Sequence, residues 1–166
     1  MSIVADIVRS YVQPRAVIRD RLAEGQREDR ALMLLMLGCG LVFVAQWPRL
    51  ARRAALDDAV PLEALLGGAL MAWGVIMPLA LYGIAGLSHL VARALGGQGA
   101  FFGARLALFW ALVAAAPAWL LYGLTAGMIG SGPALSIVGF LAFAAFLFVW
   151  LSGWVEVEWP RTSVAS

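Results

Sequence analysis

The sequence predicts an all-α, polytopic integral membrane helical bundle of four transmembrane helices with an N-terminal amphipathic interfacial helix. Three observations predict it. The 166 residues are 63% hydrophobic and 13% charged, whereas soluble domains run nearer one half apolar and one quarter charged. Charged side chains are absent from residues 64–87, 106–130 and 134–155, and each run reaches the roughly 20 residues that cross a hydrocarbon core. The arginines, finally, gather on one side of the membrane those runs define. The expected organisation is an interfacial or cytoplasmic segment over 1–30, a transmembrane domain over 31–155 with spans at about 31–47, 64–92, 103–130 and 134–155, and a cytoplasmic tail over 156–166.

In the first segment Asp6, Arg9, Arg15, Arg19, Asp20 and Arg21 interrupt any signal-peptide core, so it is expected to stay on the protein. Ile3, Val4, Ile7, Val8, Tyr11 and Val12 recur at helical spacing and predict a short amphipathic helix, interrupted at Pro14. Val17, Ile18 and Leu22 extend the apolar stripe opposite Arg15, Arg19 and Arg21. Such a helix lies in the cytoplasmic interface with its arginines toward anionic lipid, or packs on the protein's own cytoplasmic loops.

The first span is short and Pro48 is expected to end it; residues 48–61, with Arg49, Arg52, Arg53, Asp57 and Asp58, read as a solvated loop, and Pro61 as the first residue of the next helix. The second helix exceeds one bilayer crossing, should kink at Pro78, and carries Ser88, His89 and Arg93 toward its far end. Gly96, Gly97 and Gly99 break it. The third span begins near Phe101, bears Arg105 at its mouth and Pro117 inside, and closes around Gly130. A tight uncharged turn at Ser131, Gly132 and Pro133 leads to the fourth span, after which Glu156, Glu158 and Trp159 open the tail. Nine arginines then fall on the side of the N-terminus and three on the other, predicting both termini in the cytoplasm of a bacterial inner membrane. Several tryptophans lie near span ends as interfacial anchors, whereas Trp73 and Trp119 sit deeper and should pack between helices.

Composition narrows the chemistry. All twelve basic residues are arginine, so lysine Schiff-base chemistry has no residue to use, and without asparagine there is no N-glycosylation acceptor. The single cysteine, Cys39 between Gly38 and Gly40, reads as a packing residue. Proton-coupled carriers mark their path with ionisable groups inside the membrane, and the second to fourth span cores hold none. Ser88 and His89 are adjacent, so on a helix they point about 100° apart and do not form a nucleophile–base pair. Ala85 four residues before His89 has the spacing that admits a tetrapyrrole, but a second histidine for bis-imidazole ligation is missing, and a helix-end histidine meeting headgroups or Arg93 is the preferred reading. No catalytic, cofactor-binding or metal-ligating residue, and no nucleic-acid partner, is expected.

Small residues let membrane helices approach closely. Gly123 and Gly127 form a GxxxG step, and Gly68 with Ala72 and Ala111 with Ala115 form similar ones. They seal the bundle within one subunit or, alternatively, make a homodimer face. The glycine-rich turn can present backbone N–H groups between Arg93 and Arg105, where a lipid phosphate would fit; a plain helix-terminating turn is the simpler alternative.

The run from His89 through Arg93, Gly96, Gly97, Gln98 and Gly99 to Phe101, followed by a span containing Pro117, resembles the core of bacterial proteins of the Yip-one family, relatives of eukaryotic Ypt/Rab-interacting membrane proteins. The arginine-bearing N-terminal segment with Pro14 resembles that family's entry region, so the resemblance covers most of residues 10–130. Two departures stand out: family members usually have five spans, and the eukaryotic Asp-Leu-Tyr-Gly-Pro signature is absent. The resemblance implies a non-enzymatic protein acting through protein or lipid contacts in membrane organisation; the N-terminal helix and the turn with Arg93, Gly96, Gly97, Gly99 and Arg105 are the expected contact sites. An accessory or assembly subunit of a larger energy-converting membrane complex, using Gly123, Gly127 or the aromatic face Phe140, Phe143, Phe146 and Trp150, is the alternative, and a small channel or carrier the third reading.

Overall fold

The computed structural model describes residues 2–57 and 59–160; Asp58 of the expected loop and Arg161 of the expected tail lie outside them. Among the described residues the ordered elements are helices: α1 (Ile3–Val12), α2 (Pro14–Ala23), α3 (Glu28–Leu56), α4 (Leu62–Met71), a π-helical segment (Ala72–Ile76), α5 (Met77–Ala94), α6 (Phe101–Ala114), α7 (Ala116–Met128) and α8 (Pro133–Glu158). Three are long and apolar enough to cross a membrane: α3, the continuous stretch Leu62–Ala94, and α8; α6 and α7, joined at a 44° bend, make a fourth if the pair is one span.

α6 is the hub. Residues 102–116 are all buried except Arg105, which is half-buried, as expected of a helix apolar on every side. α3 runs parallel to α6 and α7, with Gly38, Ala45 and Pro48 meeting Leu112, Gly123 and Gly127 in turn. α8 runs antiparallel, pairing Gly139 with Tyr122, Gly153 with Ala107 and Val157 with Gly103. α5 closes another side of the hub through the Tyr82–Phe109 ring pair, centroids 5.1 Å apart, and through Gly86 against Phe101.

The prolines act differently from one another. Pro48 does not end its helix: α3 continues to Leu56 because Ala51, Ala54 and Ala55 with Arg49, Arg52 and Arg53 favour helix, and α7 holds the far half. Residues 49–56 are therefore helical and not part of a loop. At Pro78 the ladder adapts one turn earlier, in the π-helical segment, where a wider turn accommodates the missing N–H. Pro117 causes the α6–α7 break: Ala118 N–H donates to Ala115 O, and the Ala114 carbonyl accepts the Tyr11 hydroxyl at 2.8 Å.

That last contact places the N-terminal segment. α1 and α2 form a hairpin lying along α6 and α8. The hairpin meets the second half of α6, at Trp110 and Ala114. Ser10 Oγ accepts from Trp110 Nε1 at 2.9 Å and donates to Asp6 O at 2.7 Å. Arg21 stacks over the Trp110 ring at 3.6 Å and pairs with Asp6 at 2.9 Å. Burial pushes the Arg21 guanidinium down from its ordinary value, and Asp6 opposes that. The polarity of α1 is inverted relative to a helix on a water-facing protein: Asp6 and Ser10 are buried, while Val4, Val8 and Val12 are 69%, 66% and 77% exposed. A valine stripe turned outward suits an apolar medium. Of the arginines on this segment, Arg9 pairs with Asp20, Arg19 with Glu156 and Arg21 with Asp6, while Arg15 has no carboxylate partner among the described residues.

Of the small-residue steps, Gly123 and Gly127 form the α3–α7 seam. A Cβ on Gly123 would overlap the Ala45 carbonyl, and one on Gly127 would overlap Pro48. Ala111 and Ala115 are fully buried. Gly68 faces open space and Ala72 is half-buried. Cys39 is buried in the core, and Trp73 and Trp119 pack against it from its edge.

Candidate functional site

The glycine-rich turn closes on the C-terminal end of α8. Gly96 has φ +86°, the left-handed conformation that terminates α5, and Gly97 N–H donates back to Ala92 O at 2.8 Å. Gln98 N–H then donates to Glu158 O at 2.8 Å, pinning the turn to α8. Gly97 and Gly99 are required by close approach: a Cβ on Gly97 would lie 3.0 Å from Glu158 Oε2, and one on Gly99 would lie 2.6 Å from Val157 O and 2.8 Å from Glu158 Oε2. One glutamate thus occupies the space that the glycines leave.

Glu158 is fully buried, and His89 Nδ1 lies 2.8 Å from its Oε1. The His89 ring meets Phe101 edge-on, centroids 5.7 Å apart. Glu158 Oε2 has no hydrogen-bond partner among the described residues, although an unpaired buried oxygen is costly. Glu156, two residues earlier, is also buried and accepts from Arg19 at 3.0 Å. Neither glutamate belongs to a tail: α8 continues through both, and each has a partner far away in sequence. The local signal is Val157, an apolar side chain between the two acids that is buried with them in the last turn of α8.

The residues expected around this turn are therefore divided. Gly97 and Gly99 sit on Glu158; Gly96 sits in open space. Arg105 pairs with Glu28 at the start of α3 and lies 4.7 Å over the Phe101 ring. Arg93 is exposed on the far side of α5. His89 is held by Glu158 and not by Arg93. Ser88 Oγ donates to Ala85 O at 2.8 Å, away from the imidazole's partner.

Above the His89–Glu158 contact, α5 and α8 diverge, each resting on α6 and hardly touching the other. A groove of about 260 Å³ opens between Ile84, Leu87, Ser88 and Val91 on one wall and Trp150, Leu151 and Trp154 on the other. Further along, Trp73, Met77 and Leu81 face Phe143 and Phe146 across a smaller hollow of about 160 Å³ floored by Leu112 and Trp119. The two form an aromatic-lined cleft down one flank of the bundle, closed at one end by the His89–Glu158 latch. Groups of three or more His, Cys, Asp or Glu side chains placed to hold a metal do not occur among the described residues. No family model, no curated protein and no solved structure matches this chain.

Proposed function

We propose that the chain is a non-enzymatic integral membrane protein of the Yip-one type, crossing a bacterial inner membrane four times with both termini inside, and acting through lateral contacts with lipid or other membrane proteins. The observation that carries this reading is the cleft between α5 and α8. It opens sideways, it is lined almost wholly by aliphatic and aromatic side chains, and such surfaces are what a helix or an acyl chain fills. Ser88 and His89 are held by Ala85 and Glu158, while the indole N–H groups of Trp119, Trp150 and Trp154 lining the cleft have no hydrogen-bond partner among the described residues. The arginine distribution supports the orientation, and the α6–α7 pair, taken as one bent span, makes the fourth crossing.

The second reading, an accessory subunit beside a larger complex, is favoured by the outer face of α8, where Phe140, Leu141 and Phe143 stand exposed next to the cleft. Gentle extraction into lipid nanodiscs, native mass measurement and identification of stoichiometric co-purifying chains separates the two. A monomer or homodimer with retained lipid supports the first; a fixed large assembly supports the second. Replacing Trp150 and Trp154 with alanine should strip the retained lipid or partner. Unchanged retention in that variant rejects the cleft as the contact site, and ion or solute flux in liposomes of the pure protein would replace both readings with a channel.

A further inference from the structure

A different surface, at the opposite end of the bundle, has the chemistry that the glycine-rich turn lacks. Because α3 continues past Pro48, Arg49, Arg52 and Arg53 fall within one turn of a helix and line a single cleft of about 330 Å³ against the α7–α8 turn. Their roles differ. Arg52 donates to Gly127 O and Met128 O, both at 3.2 Å, and its guanidinium lies against Gly130, whose lack of a Cβ leaves that space free. It caps the negative end of α7. Arg49 and Arg53, spaced i, i+4, are exposed and have no carboxylate partner among the described residues. Like charges at that spacing repel. The one described acid in the cleft, Asp57, turns its Oδ1 back to accept from Ala59 N at 3.0 Å. On the other wall stand Ser131 and the first turn of α8, whose leading N–H groups have no intrahelical acceptor. Leu56 and Leu135 make the remainder apolar.

We infer that this cleft binds a phosphate group, held between Arg49 and Arg53 in the fork geometry that guanidinium offers to phosphate oxygens, with Arg52 as the fixed cation behind it. A phosphate placed there relieves the repulsion between the two free arginines. The apolar wall matches the glycerol and first methylenes of a phospholipid, so the source is either an anionic headgroup in the leaflet opposite the termini or a soluble phosphate. The inference deepens the lipid-contact reading and rests on the chain being in a membrane, but not on the α5–α8 cleft.

The test uses the full chain in nanodiscs of phosphatidylcholine with and without phosphatidylglycerol, read by native mass spectrometry for bound lipid and by circular dichroism for intact helix. The wild type should retain phosphatidylglycerol over phosphatidylcholine by about tenfold, the factor that some 1.4 kcal/mol provides, and Arg49→Gln/Arg53→Gln should lose that preference while staying helical. Arg49→Lys/Arg53→Lys, which keeps charge without the fork, should fall between. Arg93→Gln should retain the full preference. Thermal stabilisation by inorganic phosphate, dependent on the same two arginines and without lipid preference, supports the site with a soluble ligand as its source. Equal lipid retention in wild type and the double glutamine variant, with no response to phosphate, overturns the inference. The Trp150 and Trp154 variants probe the other cleft, so the two readings fail separately.

Discussion

The two ends of the bundle hold charge in opposite ways. At the end carrying the glycine-rich turn, basic groups are matched across elements: Arg19 with Glu156, Arg21 with Asp6, Arg105 with Glu28, and His89 with the fully buried Glu158. At the other end three arginines surround one cleft with a single described carboxylate, Asp57, folded back on its own loop. Counting arginines along the chain therefore overstates the positive charge available at the richer end. Most described arginines there are paired, Arg15 and Arg93 excepted, whereas at the poorer end Arg49 and Arg53 share one cleft and are left able to attract an anion. Internal pairing makes one end a structural element, and its absence makes the other a surface.

Substitutions break this contrast unequally. The largest effect is expected from Glu158→Ala, which removes the partner of His89 and empties the space between Gly97 and Gly99; loss of one member of a buried pair costs about 3 kcal/mol. Thermal unfolding in nanodiscs reads it, and an unchanged midpoint would show that the latch contributes nothing. Gly99→Ala comes next, at about 2 kcal/mol, because its methyl meets the Val157 carbonyl and the Glu158 carboxylate; Gly68→Ala, in open space, is its control and should leave the midpoint in place. Arg52→Gln should lower stability by about 1 kcal/mol through the exposed end of α7. Arg49→Gln should leave the midpoint where it is and change only what the cleft retains. If Arg49→Gln destabilises as much as Arg52→Gln, the division between a capping and a free arginine is wrong.

Much of the helical order was readable from local pattern. Charge-free runs mark the candidate spans, Gly96 and Gly97 end α5 where glycine is expected, Pro117 marks the α6–α7 break, and the Gly123–Gly127 step lies on a real helix seam. Pro48 misled because a single proline has a local meaning in water that a packed neighbour overrides in a membrane helix. Glu156 and Glu158 looked like the start of a polar tail because their partners, Arg19 and His89, are 137 and 69 residues away. Amphipathicity placed a stripe on α1 correctly but could not say which side faces the protein. The inward side holds Asp6 and Ser10 together with Ile3 and Ile7, since Trp110 and Arg21 offer the polar pair hydrogen bonds that the valines cannot use.

The dependence of the N-terminal hairpin on α6 has a consequence for biosynthesis. Tyr11 leaves the ribosome 103 residues before the carbonyl it caps, an interval of about 5–20 s at ordinary elongation rates. During that time Asp6, Ser10 and Arg21 have no Trp110 to meet, so the hairpin stays outside its final position until most of the bundle has been made, and its docking is a late step of assembly. Nascent chains arrested before Trp110 should leave residues 3–23 open to protease, and chains arrested after α8 has emerged should protect them.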